Sequence, residues 1–153
     1  MIVLAVVLLG VIDASAASEV VDGVAWTYSV SDGMASVYKS SSSPAIPVAT
    51  TGALTVPSTL GGYPVTSIGD SAFYKCSGLT SVTILDGVTS IGDEAFRGCR
   101  ALRDVYFKGM LPPNAGHGAF TDCDGDIVFH APKGWRGESH YAGHRVLVEG
   151  EER

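Results

Sequence analysis

Apolar positions in this chain fall in short runs that return at a fixed interval. Val65-Thr66-Ser67-Ile68-Gly69-Asp70-Ser71-Ala72-Phe73-Tyr74-Lys75-Cys76-Ser77-Gly78-Leu79 comes back 23 residues on as Val88-Thr89-Ser90-Ile91-Gly92-Asp93-Glu94-Ala95-Phe96-Arg97-Gly98-Cys99-Arg100-Ala101-Leu102. The register continues beyond both blocks, with Val82 matching Val105 and Ile84 matching Phe107. A period in the twenties marks a solenoid, in which each unit is one coil and coils bury their apolar faces on each other. Leu79, Val82 and Ile84 sit in a β-branched-rich run that predicts a short strand, and Val65 to Ile68 predicts a second. Between them, Gly69 and Gly92 are expected to turn the chain at positive φ. Asp70 and Asp93 are expected to cap a single helical turn carrying Ala-Phe. The Phe of each turn should point inward and stack on its equivalent one coil away, because neighbouring strands lie about 4.8 Å apart.

Weaker copies flank the clear ones. Ala119-Phe120-Thr121-Asp122-Cys123 repeats the Ala-Phe-x-x-Cys core with one residue inserted upstream. Asp126-Ile127-Val128-Phe129 stands where the following strand belongs, and Leu54-Thr55-Val56-Pro57 resembles Val82-Thr83-Ile84-Leu85. The expected coil stack therefore spans residues 53–131. Its inward positions are Ile68, Phe73, Cys76, Leu79, Val82, Ile84, Ile91, Phe96, Cys99, Leu102, Val105, Phe107, Phe120 and Cys123. Trp26, Tyr28 and Val30 alternate before Ser31-Asp32-Gly33, a hairpin signal. Residues 17–52 are thus expected to form a hairpin cap and a Ser/Pro/Thr-rich linker, the latter from Ser40 to Thr51. Residues 132–153 form a closing segment in which Arg145 to Val148 cover the last strand edge, since an uncovered edge invites aggregation. The expected fold class is a short, right-handed, β-rich solenoid.

The first residues differ from the rest. Ile2 to Ile12 is apolar and Ala14-Ser15-Ala16 has the A-x-A form of a cleavage site, so residues 1–16 read as a secretory signal peptide. The run is too short to span a membrane as a helix. No membrane insertion is expected after its removal. The net charge of −6 argues against nucleic acid, whose phosphates call for clustered Lys and Arg. Arg97, Arg100 and Arg103 are the closest basic group and read as a solvated face of one coil.

The block Val-Thr-Ser-Ile-Gly-Asp-x-Ala-Phe-x-x-Cys-x-x-Leu-x-x-Val-x-Ile, at Val65–Ile84 and again at Val88–Phe107, resembles the BspA-like leucine-rich repeat. Asp22-Gly23-Val24-Ala25-Trp26-Thr27-Tyr28 resembles the hairpin that precedes such repeats. Gly134-Trp135 with Tyr141-Ala142-Gly143 resembles their closing segment. Leu85 departs from the pattern, which has Pro after the strand Ile. The resemblance implies a secreted or cell-surface protein of adhesion type, with a protein or glycan ligand and no enzymatic activity. The alternatives are a structural spacer or a fragment of a longer repeat protein and, behind these, a calcium-binding or hydrolytic protein.

Candidate chemistry is sparse. Cys76, Cys99 and Cys123 share one repeat position and read as a ladder of buried thiols, with a disulfide between neighbouring coils as the alternative. Asp122, Asp124 and Asp126 alternate like calcium ligands but lack a distal bidentate Glu, so a polar turn is the preferred reading. His140 and His144 are spaced for one face of a helix, yet Gly137 and Gly143 disfavour the helix. His117 and His130 are expected at the surface or in caps. No nucleophile elbow, phosphate loop or dinucleotide fingerprint is present, so no cofactor is expected. Tyr74, Tyr106, Trp135 and Tyr141 are aromatics beyond the core pattern and candidates for binding. Ser81, Thr83, Arg103 and Tyr106 are expected to alternate outward between inward apolar positions, forming a binding face.

Overall fold

The computed structural model describes residues 16–39, 43–123 and 126–151. The expected leader therefore lies outside the described residues except for Ala16. Strands and turns make up the ordered structure, and no helix occurs among the described residues. Two sheets run along the molecule. The first contains β1 (Ala17–Val21), β2 (Val24–Ser31), β3 (Met34–Val37), β6 (Tyr63–Ile68), β8 (Ser90–Ile91) and β10 (Asn114–Ala115), in that order, with β5 (Thr59–Leu60) pairing β6. The second has the order β12 (His140–Tyr141), β13 (His144–Val148), β11 (Val128–Ala131), β9 (Asp104–Phe107), β7 (Gly78–Ile84) and β4 (Thr51–Thr55).

Parallel pairing in the second sheet carries the repeat register directly. Val82 lies opposite Val105 and Ile84 opposite Phe107, as the 23-residue offset requires. Leu54 lies opposite Val82, so the half-copy before the first block is a genuine strand of the stack. Phe129 lies opposite Val105 on one side and Val146 on the other, which places the third copy and the C-terminal strand in the same series. Every inward position of the repeat from Ile68 to Phe120 is at most 4% exposed. Cys123, the last of them, is half-buried.

The turns stack as the sequence requires, with different local geometry. Phe73 and Phe96 are parallel with centroids 4.8 Å apart, and Phe96 and Phe120 follow at 5.0 Å. Between coils, the N–H groups of Ser71, Phe73 and Lys75 donate to the carbonyls of Asp93, Ala95 and Arg97. One coil on, Glu94, Phe96 and Gly98 donate to His117, Ala119 and Thr121. These turns are not helical, and Asp70 and Asp93 do not cap their own turns. The Asp70 carboxylate accepts from the Asp93 N–H at 2.8 Å, and the Asp93 carboxylate accepts from the His117 N–H at 2.7 Å. Each Asp thus ties its coil to the next.

Gly69 and Gly92 also have a different role from the one expected. Neither has positive φ; that conformation falls at Ser71, Glu94 and Gly118, two residues later in each turn. Gly92 is required by proximity. A Cβ there would come within 2.5 Å of the Asp70 nitrogen and 2.7 Å of the Gly69 carbonyl carbon. Gly116 is in the same situation one coil on, with a Cβ falling 2.5 Å from the Asp93 nitrogen. The backbones approach so closely that the carboxylate bridge can form.

At the N-terminal end, β2 and β3 form the antiparallel hairpin read from the Trp26–Val30 alternation, and β3 pairs in parallel with β6. The Trp26 ring meets Phe73 edge-on at 6.0 Å. Ala45 and Ile46, inside the segment expected as a linker, are buried; the Ala45 N–H donates to the Ala72 carbonyl and the Ala45 carbonyl accepts from Thr27. At the other end, Tyr141 is buried, packs against Phe107, Phe120 and Phe129, and donates its hydroxyl to the Pro113 carbonyl at 2.9 Å. Trp135 stacks on Phe107 at 5.4 Å. Both were candidates for exposed binding aromatics, and both instead close the end of the core.

Candidate binding face

The outward side of the second sheet is built by strand alternation. Where Val82, Val105, Phe129 and Val146 point inward, their neighbours on either side point out. One outward row runs Thr55, Thr83, Tyr106, His130, Leu147 across five strands. A second runs Ala53, Ser81, Asp104, Val128, Arg145. Ser81, Thr83 and Tyr106 therefore face outward together, as the alternation predicts. Arg103 does not belong to these rows: it precedes β9, and Asp104 occupies the outward register position instead. Tyr74 lies away from this face, on the turn side, where Lys39 and Lys75 ammonium groups sit 5.6 Å and 5.1 Å from its ring centre.

A compact polar and aromatic group stands at the middle of the face. The Tyr106 and His130 rings are stacked 4.4 Å apart and 14° from parallel. His130 Nε2 lies 2.7 Å from Asp104 Oδ1. A carboxylate only accepts, so Nε2 carries the proton, and the contact fixes both the tautomer and the ring plane. Tyr106 is thereby held rigidly although it is 36% exposed. Rigid, half-exposed aromatics are effective contacts because little side-chain freedom remains to be lost on binding. Beside them lies an open cleft of about 400 Å³, walled by Tyr106, Lys108, His130, Pro132, Leu147 and Glu149. Sequence reasoning missed Asp104 and His130. The available signal was the register of the third copy: aligning Phe129 on Val105 places His130 on Tyr106.

The remaining candidates divide clearly. Cys76, Cys99 and Cys123 are free thiols. Cys99 donates to the Phe73 carbonyl and Cys123 to the Phe96 carbonyl, each at 3.1 Å. Burial pushes Cys76 and Cys123 up to about 11, and Cys99 higher still, so none is a nucleophile near neutral pH. Asp122 pairs with Arg97 at 3.2 Å, and Arg97 also pairs with Glu94. Asp124 lies outside the described residues. Among the described residues no group of three His, Cys, Asp or Glu side chains is placed to hold a metal ion. His140 and His144 lie on the two strands of the β12–β13 hairpin, and burial lowers the affinity of His144 for its proton.

Residues 58–133 match the family model described as a BspA-type leucine-rich repeat region of six copies. The chain belongs to the BspA-type leucine-rich repeat family. A crystal structure of a leucine-rich repeat protein from Bacteroides capillosus ATCC 29799 is similar to it, with 27% identity, a TM-score of 0.61, and coverage of 87% of this chain and 99% of that one. A leucine-rich cell surface protein from Faecalibacterium prausnitzii A2-165 is 24% identical with a TM-score of 0.49, over 88% of this chain and 43% of that one. No curated protein matches the chain. The BspA-type repeat thus accounts for the Gly-Asp-x-Ala-Phe-x-x-Cys turns and the parallel strands that follow them.

Proposed function

We propose that this BspA-type repeat protein is a secreted or cell-surface interaction module, without catalytic activity, that binds a protein or glycan ligand through the outward face of the second sheet. The observation that carries the reading is the Tyr106–His130 stack pinned by Asp104. Nothing in the coil-stacking pattern calls for these three side chains, since the inward neighbours Val105 and Phe129 already supply the buried contacts. Ser81 and Thr83 extend the same face with hydroxyl groups that can donate and accept. The apolar run at Ile2–Ile12 with Ala14-Ser15-Ala16 supports export.

The test is capture of glycans and extracellular matrix proteins on arrays by residues 17–153. A ligand retained by the natural sequence and lost in both Tyr106→Ala and His130→Ala, with melting temperatures close to the parent's, supports the reading. Failure to retain any component, or retention unaffected by both substitutions, overturns it and favours a spacer role. Export is tested separately, by locating the full-length chain in cell and medium fractions of an expressing bacterium.

A further inference from the structure

The row of hydrogen bonds that joins one turn to the next is left open at the third turn. In the first turn the N–H groups of Ser71, Phe73 and Lys75 are all taken by the second, and in the second turn those of Glu94, Phe96 and Gly98 are all taken by the third. The equivalent donors of the third turn are Gly118, Phe120 and Asp122. No described residue accepts from any of them. The closing hairpin explains why. Strand β13 supplies the next rung of the second sheet, and Tyr141 covers the Phe120 ring at 6.4 Å. Side chains are sealed there, while no turn among the described residues is laid against the backbone row. A cleft of about 490 Å³ remains beside it, bordered by His117, Gly118, Phe120, Thr121, Ala142 and His144.

We propose that this open row is a docking edge for a peptide segment of a partner protein folded as the repeat's own turn. Three donors with no acceptor between them match the carbonyl row of another such turn, left-handed where Gly118 and Asp122 are, and not a β-strand edge, which mixes N–H and C=O groups. The molecule itself shows the complementary half twice, in the carbonyls at 93, 95 and 97 and at 117, 119 and 121. A second copy of this chain does not fit. Its only exposed end of comparable form would be the first turn, where the Ala72 carbonyl is already taken by Ala45 and the hairpin covers Phe73. Tyr141 adds a selectivity rule. It occupies the end of the ring column, so the partner must carry a small residue where the repeat carries Phe. The surface is separate from the outward face of the second sheet and does not depend on it.

The probe is an acetylated, amidated peptide of residues 89–98 carrying Phe96→Ala, titrated into the 15N-labelled full chain. At about 1 mM peptide, the regime of weak single-segment binding, the amide resonances of Gly118, Phe120 and Asp122 shift, while those of Phe73 and Phe96 stay in place. The same peptide with Phe96 retained binds at least roughly tenfold more weakly, a difference of about 1.4 kcal/mol. Ala142→Arg, which fills the cleft from the exposed tip of the hairpin, abolishes the shifts. Absence of shifts at Gly118 and Phe120 overturns the proposal, as does equal binding of the two peptides. Concentration-dependent dimerisation of the chain that protects these same amides overturns it in favour of a second copy.

Discussion

The turn column and the outward face of the second sheet are built from the same repeat, yet they obey opposite rules. In the column, Gly69, Gly92 and Gly116, then Phe73, Phe96 and Phe120, are the same residues at each level, because each level touches its own copy above and below. On the outward face the equivalent positions are Thr83, Tyr106 and His130. They meet one another only at their flanks and solvent elsewhere. Identity persists where coil must fit coil, and variation collects where the coil meets something else.

The contrast can be broken most severely in the column. Phe96→Ala removes the ring held between Phe73 and Phe120 and should cost about 3–5 kcal/mol, read by denaturant unfolding. Gly92→Ala places a methyl group against the Asp70 backbone, which cannot yield as a side chain could, and about 1–3 kcal/mol of destabilisation is expected in the same assay. A full-sized effect at Gly92 but a much smaller one at Gly87, which is also free of positive φ and where a Cβ would lie 3.3 Å from its nearest neighbour, would confirm that proximity sets the requirement.

Alkaline titration probes the column without mutation. The buried thiols bind their protons more tightly in the folded state, with Cys76 and Cys123 raised from 9.0 to about 11. Their contribution to stability is therefore complete below pH 9 and is lost as pH rises towards 11. Melting temperature should fall across that window, and the fall should shrink in a Cys76→Ala, Cys123→Ala variant. The smallest effect belongs to the outward face. Tyr106→Ala forfeits one exposed stacking contact and should cost only about 1 kcal/mol, while removing ligand capture. A loss as large as that of Phe96→Ala would erase the distinction between the two regions.

The column was readable from sequence because repetition encodes it: the 23-residue offset gives the partner of every inward residue. The mechanisms inside it were less accessible. Gly next to Asp reads locally as a turn with a cap, whereas the cause lies one coil away, in the carboxylate bridge from Asp70 to the Asp93 N–H. Local rules cannot register a contact whose partner is 23 residues distant. The outward face was half legible. Alternation gave Ser81, Thr83 and Tyr106, but the inserted residue before Ala119 obscured the alignment that pairs His130 with Tyr106. Arg103 was misplaced because it lies an odd number of residues from Tyr106, so strict alternation puts Asp104 and not Arg103 in the outward rows. Tyr141 and Trp135 illustrate the opposite error: aromatics outside the repeat pattern are needed to seal the last level of a finite stack.

The sulfur atoms carry a final consequence. Each thiol lies in the wall between levels, and two of them donate to the Phe carbonyl of the level before. The levels are joined by amide hydrogen bonds, carboxylate bridges and ring faces, none of which a reductant can cut. Reducing agents should accordingly leave the unfolding curve of this protein where it was.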